Sequence, residues 1–245
     1  MPRRRCAAVV VAVLALGACT VQPGSAPSVV HLRPLAAGTR SVVGHSVQGR
    51  ELTVYRMGSA TAKRHVLVVG VIHGDEVAGR RIALSLLHLD VPAGTSLWVV
   101  PDGNPDGVAA HTRQNAHRVD LNRNFSYDWA PIGRPGDQQY SGPRALSEPE
   151  SAALSDLVRR LRPAVTVWFH QPVGIVDESG GSVSVEQRFA NTLGEPLRRM
   201  TRYHGSATSW QNHGYPGTTA FVVELPRHPT DALDQRAVRA VQNLL

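Results

Sequence analysis

Three short apolar runs do most to limit how this chain can fold: residues 65–72 (HVLVVGVI), 165–169 (VTVWF) and 221–225 (FVVEL). Each is far shorter than the roughly 20 residues of a helix that spans a bilayer. The first two are continuously apolar rather than alternating, which suits strands buried on both faces. Between them lie segments of helical period. Residues 78–89 place Ile82, Leu86 and Leu89 on one face, and a second helix opens at Ser147-Glu148-Pro149-Glu150 and runs to Arg162, before Pro163. Ser147 is read there as the N-cap and Glu150 as the partner that completes a capping box. Further strands are predicted over 51–56 and 97–100, and further helices over 185–200 and 231–245. Strands that alternate with helices predict a layered α/β fold with a mainly parallel central sheet. A chain of 245 residues with 42% hydrophobic content is long enough to bury one sizeable core.

The stretch 102–143 is different. It is rich in Gly, Pro and Asn and has no sustained period. A loop of that length inside a compact domain usually serves function.

The N-terminus reads as an export signal. Arg3, Arg4 and Arg5 precede a twelve-residue apolar stretch, 7–18, and the segment closes on Leu16-Gly17-Ala18-Cys19. These last four residues resemble a bacterial lipobox, in which the Cys is lipidated and becomes the first residue of the mature protein. An ordinary signal peptide that ends near a cysteine is the alternative. On the lipoprotein reading, 1–18 is the signal, 19–40 a Pro- and Gly-containing tether and 41–245 the folded domain. The protein is then expected outside the cytoplasm, held to the membrane through lipid on Cys19. The only other cysteine, Cys6, leaves with the signal, so the mature chain cannot form an internal disulfide. Losing the three arginines also lowers the formal charge from +7 to +4. With no basic run or basic–aromatic interleaving in the body of the chain, nucleic acid is not expected as a partner.

The chemistry gathers where the apolar runs end. The first is followed by His73-Gly74-Asp75-Glu76, the second by His170-Gln171-Pro172, and the third contains Glu224. A carboxylate in such an apolar segment would cost several kcal/mol if buried alone. In parallel sheets the carboxyl ends of the strands form the ligand crevice. Two His and one Glu around an open fourth position is a recurring catalytic zinc set. HxxE by itself, however, also fits an ordinary strand-to-helix loop.

Seven motifs in sequence resemble those of the zinc carboxypeptidases of the carboxypeptidase A type, and within them the bacterial murein peptide amidase branch. They are Gly44-His45-Ser46-Val47-Gln48-Gly49-Arg50, His73-Gly74-Asp75-Glu76, Asn104-Pro105-Asp106-Gly107, Asp120-Leu121-Asn122-Arg123-Asn124-Phe125, Ser147-Glu148-Pro149-Glu150, Phe169-His170-Gln171 and Val223-Glu224-Leu225-Pro226. The resemblance implies a three-layer α/β/α sandwich around a mixed, mainly parallel sheet. It implies one zinc ion on His73, Glu76 and His170, with Glu224 as the general base that takes the attacking water's proton. It further implies that Arg113 polarises the scissile carbonyl, that Asn122 and Arg123 grip the substrate's terminal carboxylate, and that Asp120 hydrogen-bonds His73 from behind. Two departures stand out. Arg118 occupies a position where the family often has Gly, and the family's mobile active-site tyrosine has no clear motif. Tyr203 and Tyr215 are the candidates, each also readable as structural. The other histidines, such as His111, His117, His204, His213 and His228, are read as surface or loop residues, with His213 placed best among them to reach the site.

The function implied is hydrolysis of peptide bonds near a free carboxylate, in peptidoglycan stem peptides such as those with a γ-D-glutamyl–meso-diaminopimelate bond. A general metallocarboxypeptidase or a deacylase of small N-acyl amino acids is the alternative. A non-catalytic binding lipoprotein would require a missing ligand or base, and none is missing.

Overall fold

The computed structural model describes residues 38–59 and 61–245; the signal segment, Cys19 and most of the tether lie outside the described residues. The first two strands, β1 (Thr39–His45) and β2 (Glu51–Gly58), form an antiparallel hairpin whose turn uses Gly49 at φ 78°. β1 thus begins within the segment read as a tether. The remaining strands are β3 (Arg64–Val69), β4 (Thr95–Val100), β5 (Val165–His170), β6 (Ile175–Asp177), β7 (Leu197–Arg198) and β8 (Thr219–Glu224). They form one eight-stranded sheet in the order β1-β2-β4-β3-β5-β8-β6-β7. The central four, β4-β3-β5-β8, are mutually parallel, while β2 and β6 join them antiparallel on either side. The sheet is therefore mixed and mainly parallel, as expected.

The helices are α1 (Ala78–Leu86), α2 (Pro105–Ala110), α3 (Pro149–Leu161), α4 (Val183–Leu193), α5 (Ala207–Gly214) and α6 (Asp231–Gln242). Alternation along the central strands sorts side chains between two cores. On one face Val66, Val68, Val167, Phe169, Phe221 and Val223 pack with Ile82 and Leu86 of α1, Phe189 of α4 and Val241 of α6. On the other face Leu67, Val69 and Trp168 meet Leu154 and Val158 of α3, Trp210 of α5 and Phe125. Each large side chain so buried contributes about 1.5–3 kcal/mol. Runs that must satisfy both cores have no polar positions to alternate with, which is why they read as continuous.

The structure changes three details of the predicted elements. The 185–200 helix stops at Leu193, because Gly194 takes the left-handed cap at φ 78° and Pro196 cannot continue a helix; β7 follows. Ser147 and Glu150 do not form a capping box. Glu148 is the N-cap of α3, without a side-chain cap bond, and Glu150 instead accepts from the Val47 amide and Asn115 Nδ2, each at 3.0 Å. The long stretch 102–143 holds α2 and a short 3₁₀ turn at Leu121–Arg123.

Two of the seven motifs meet in space. Asp106, at the start of α2, is buried and accepts from Ser46 Oγ at 2.7 Å, the Gln48 amide at 2.9 Å and Arg50 Nη1 at 2.6 Å. The hairpin turn is thereby tied to the loop that supports the site.

Candidate metal centre and active site

The sheet's order reverses direction at β3: the chain passes from β3 to β4 on one side and later to β5 on the other. Such a switch point opens a crevice at the carboxyl ends of the strands. His73 and Glu76 lie on the turn between β3 and α1, where the Glu76 amide donates to the His73 carbonyl at 3.0 Å. This one-turn closure brings side chains three residues apart to the same side. Gly74 between them is needed for close approach, since a Cβ there would meet the Gly107 carbonyl carbon at 1.9 Å. Asn104 secures the arrangement: its Nδ2 donates to the carbonyls of Ile72 at 3.1 Å and Arg113 at 3.3 Å, while its Oδ1 accepts from the Gly107 amide at 3.0 Å.

His170 is the last residue of β5 and Glu224 the last of β8, in register as neighbours on adjacent parallel strands. His73, Glu76 and His170 offer ligand atoms that all lie within 4.8 Å of one another. His73 Nδ1 is 3.1 Å from His170 Nδ1, and each nitrogen is 3.0 Å from a Glu76 oxygen. The outer nitrogen of His73, Nε2, is 3.0 Å from Asp120 Oδ1. Asp120 also accepts from the Asn122 amide at 2.9 Å, so Oδ1 is acceptor-only and His73 carries a proton on Nε2. Once the second proton leaves, as metal binding requires, that tautomer aims the Nδ1 lone pair at the point between His170 and Glu76. Two imidazole nitrogens and a carboxylate converging on one point is a donor set that fits zinc, with the fourth direction open to the cleft.

Electrostatics agree with a cation at this point. Burial alone would lower the His73 pKa, but Glu76 and Asp120 on either side push it up to about 9. Burial likewise works against ionised Glu76, yet the two histidines hold its carboxyl well below the usual carboxylate range. Asp120, fully buried, is also held low, by His73 and by Arg113. The cluster thus keeps the Glu76 and Asp120 carboxylates charged and favours positive charge beside them at His73.

Glu224 behaves oppositely. It is 8% exposed, its Oε2 has no protein partner, and burial pushes its pKa up, only partly offset by His170. A carboxylate on the cleft wall, poised above its ordinary value and with one oxygen left without a partner, is suited to exchange protons.

Arg113 lies beside the donors, with Nε donating to Asp120 Oδ2 and Nη1 to Glu76 Oε1, each at 3.0 Å. Asn122 and Arg123 sit on the 3₁₀ turn. The Asn122 Oδ1 accepts from the Ala207 amide at 2.9 Å, which fixes the amide's orientation and leaves its Nδ2 for a ligand. Arg123 is 4% exposed, donates Nη1 to the Asn122 carbonyl at 2.9 Å, and leaves Nε without a partner. Gly205, at φ 68°, lets the next loop pass: a Cβ there would meet the Arg123 carbonyl oxygen at 2.2 Å.

Every expected site residue from His73 to Glu224 therefore lines one open cleft of ≈ 270 Å³, except Asp120, which lies behind His73. Other expectations need correction. His213 stacks on Tyr127, ring centroids 3.8 Å apart, and does not line the cleft. Of the two tyrosines, Tyr215 packs on Trp210 while Tyr203 lines the cleft, its ring 4.1 Å from the Arg123 guanidinium carbon. Gln171 carried no role in the sequence reading. It binds Glu76 Oε2 through its amide at 3.1 Å and accepts from the Ala78 amide at 2.9 Å, locking the ligand loop to α1. Its place directly after His170 was the available signal.

A crevice at the ends of parallel strands, with this donor set and an adjacent carboxylate, defines a metal-dependent hydrolase. Residues 37–172, more than half of the sequence, match the zinc carboxypeptidase family, and the chain belongs to it. The matched stretch holds all three donors and ends before Glu224. Among relatives, the chain is 32% identical over 223 residues to murein peptide amidase A of Vibrio campbellii, covering 84% of this chain and 87% of that one. It is 29% identical over 215 residues to murein peptide amidase A of Escherichia coli K12, covering 82% and 87%. Its fold matches the crystal structure of a murein-tripeptide amidase from Escherichia coli O157 with a TM-score of 0.69 at 27% identity, covering 84% and 90%. Carboxypeptidase A from Helicoverpa armigera shares the fold at a TM-score of 0.71 and 19% identity, over 85% of this chain and 67% of that one.

Proposed function

We propose that this protein is a zinc peptidase of the cell envelope that cleaves peptidoglycan stem peptides at the γ-D-glutamyl–meso-diaminopimelate bond. The observation that carries this is the joining, in one open cleft, of the His73–Glu76–His170 donor set and Glu224 with the Asn122–Arg123 pair. Similarity to murein peptide amidases over most of both chains supports the substrate class.

One zinc per chain, held by His73, Glu76 and His170, would supply a Lewis acid that polarises the scissile carbonyl and acidifies the attacking water. Asn122 Nδ2 and Arg123 bind the free carboxylate of the leaving residue and so set the bond's position. Glu224 takes the water's proton and delivers it to the leaving nitrogen. Arg113, with Nε and Nη1 already engaged, offers Nη2 to the carbonyl oxygen as it gains charge.

The test is incubation of the purified domain with L-Ala-γ-D-Glu-meso-diaminopimelate, with and without a chelator. Chelator-sensitive release of diaminopimelate is expected. Turnover of ordinary acyl dipeptides with none of the murein peptide would identify a general carboxypeptidase instead. The proposal includes export and lipidation at Cys19, which would place the enzyme beside peptidoglycan. In a bacterial host, Cys19→Ser should move the protein out of the membrane fraction; a wild-type protein that fractionates the same way, without lipid by mass spectrometry, refutes the anchor.

A further inference from the structure

Between β7 and α5 the chain lines the cleft with Met200, Thr201, Arg202 and Tyr203. This segment is held by Asp177, the last residue of β6, which is 3% exposed. Asp177 Oδ1 accepts from the Met200 amide at 2.8 Å. Its Oδ2 accepts from Ser179 Oγ at 2.7 Å and from Arg202 Nη1 at 2.5 Å. With both oxygens engaged and buried, Asp177 offers little negative charge to a ligand.

Arg202 is placed differently. Its side chain is 38% exposed and only Nη1 is bonded; Nε and Nη2 meet no protein acceptor among the described residues. Neutralising Asp177 takes a fraction of a guanidinium's five N–H donors. A planar fork anchored along one edge by a buried carboxylate is preorganised to bind a second carboxylate with the other. Arg123, by contrast, is buried against Tyr203. The cleft therefore presents two guanidiniums in different settings to one substrate.

We propose that Arg202 is a specificity-determining residue that selects leaving residues whose side chain itself ends in a carboxylate. The inference rests on the reading in which the leaving residue's main-chain carboxylate lies on Asn122 and Arg123. The side chain of that residue then extends along segment 200–203. A diamino dicarboxylic acid of the kind found in murein stem peptides meets the requirement, and lysine at the same place does not. The Asp177–Arg202 pair makes the discrimination directional: a side chain ending in ammonium alone meets the exposed guanidinium, while the Asp177 carboxylate is already engaged.

The experiment compares wild type with Arg202→Gln and Arg202→Lys, all zinc-loaded, on two substrate pairs. The first pair is the murein tripeptide ending in meso-diaminopimelate and the same peptide ending in lysine. The second is an acyl dipeptide ending in 2-aminopimelate and one ending in 2-aminoheptanoate. Wild type should favour the dicarboxylic member by about ten- to a hundredfold in kcat/KM, the size of one charge-assisted contact. Arg202→Gln should erase that preference while changing turnover of the other member little, and Arg202→Lys should restore part of it. Calorimetry with free diaminopimelate and free lysine gives a second readout, in which wild type, and not Arg202→Gln, should favour diaminopimelate. If the murein peptides resist cleavage while the aminopimelate preference depends on Arg202, the murein reading fails and this inference stands. A ratio unchanged by Arg202→Gln in both pairs, equal losses on both members, or no preference in wild type overturns it.

Discussion

Replacing Asp120 with Asn isolates what the carboxylate behind His73 does, because the change keeps shape and removes charge. Asp120 is fully buried and accepts three hydrogen bonds: His73 Nε2 and the Asn122 amide on Oδ1, and Arg113 Nε on Oδ2. In one amide orientation the oxygen keeps His73 and Asn122, but the new NH₂ faces the Arg113 Nε–H across 3.0 Å. In the other orientation the NH₂ faces two donors instead of one. Either way at least one donor meets a donor. Losing the charge-assisted bond to Arg113 costs about 1.5–3 kcal/mol. For a domain of this size that lowers the Tm of the metal-free protein by about 3–12 °C. The metal site suffers separately, since His73 loses the anion that makes its Nδ1 a better donor. Loss of such an outer partner typically weakens metal affinity about 10- to 100-fold, or roughly 1.4–2.7 kcal/mol. Competition with a chromogenic chelator measures zinc affinity, and thermal unfolding of the stripped protein measures the structural cost. A zinc affinity equal to wild type would refute the role assigned to Asp120, whatever happens to the Tm.

Four further outcomes follow from the same geometry. Glu224→Gln should retain zinc and fold but lose about 10²- to 10⁴-fold in kcat, because an amide cannot take the water's proton; near-normal turnover would place the base elsewhere. His170→Ala should purify with little zinc by elemental analysis, since two protein donors hold the ion poorly, and full occupancy would remove His170 from the site. At Asp106, burial alone would raise the pKa, but Ser46, the Gln48 amide and Arg50 outweigh it and hold the carboxyl low. A depressed folded value contributes stability above the unfolded value of about 3.9 that is lost as pH falls through the folded one. Tm should therefore drop more steeply below pH 4 in wild type than in Asp106→Asn, and parallel curves would count against the hairpin tie. Finally, Arg118 takes φ 61°, in the left-handed region that favours glycine. Arg118→Gly should relieve strain in excess of the added chain entropy and raise the Tm by about 1–3 °C, so a fall would show that the Arg118 side chain stabilises the turn.

The sequence by itself determined the layers and pointed to the candidate metal donors. Strands buried on both faces must be apolar throughout, so β3 and β5 announced themselves as unbroken runs, and a polar residue at such a run's end has nowhere to sit but the crevice. His73, His170 and Glu224 were legible as crevice residues for that reason, while Glu76, whose spacing also fits an ordinary loop, and the role of each residue came from the resemblance of the seven motifs to the zinc carboxypeptidases. What the sequence misplaced depends on partners distant along the chain. Glu150 has the spacing of a capping residue, but the Val47 amide and Asn115, remote in sequence, decide where its carboxylate goes. Residues 185–200 carry helical periodicity to the end, yet Gly194 and Pro196 close the helix locally and pairing with β6 then claims Leu197 and Arg198. Tyr203, Arg202 and Asp177 carry no local pattern at all. They meet because β6, paired between β8 and β7, and the loop before α5 converge on the cleft, and only the tertiary structure brings those separate segments within reach of one another.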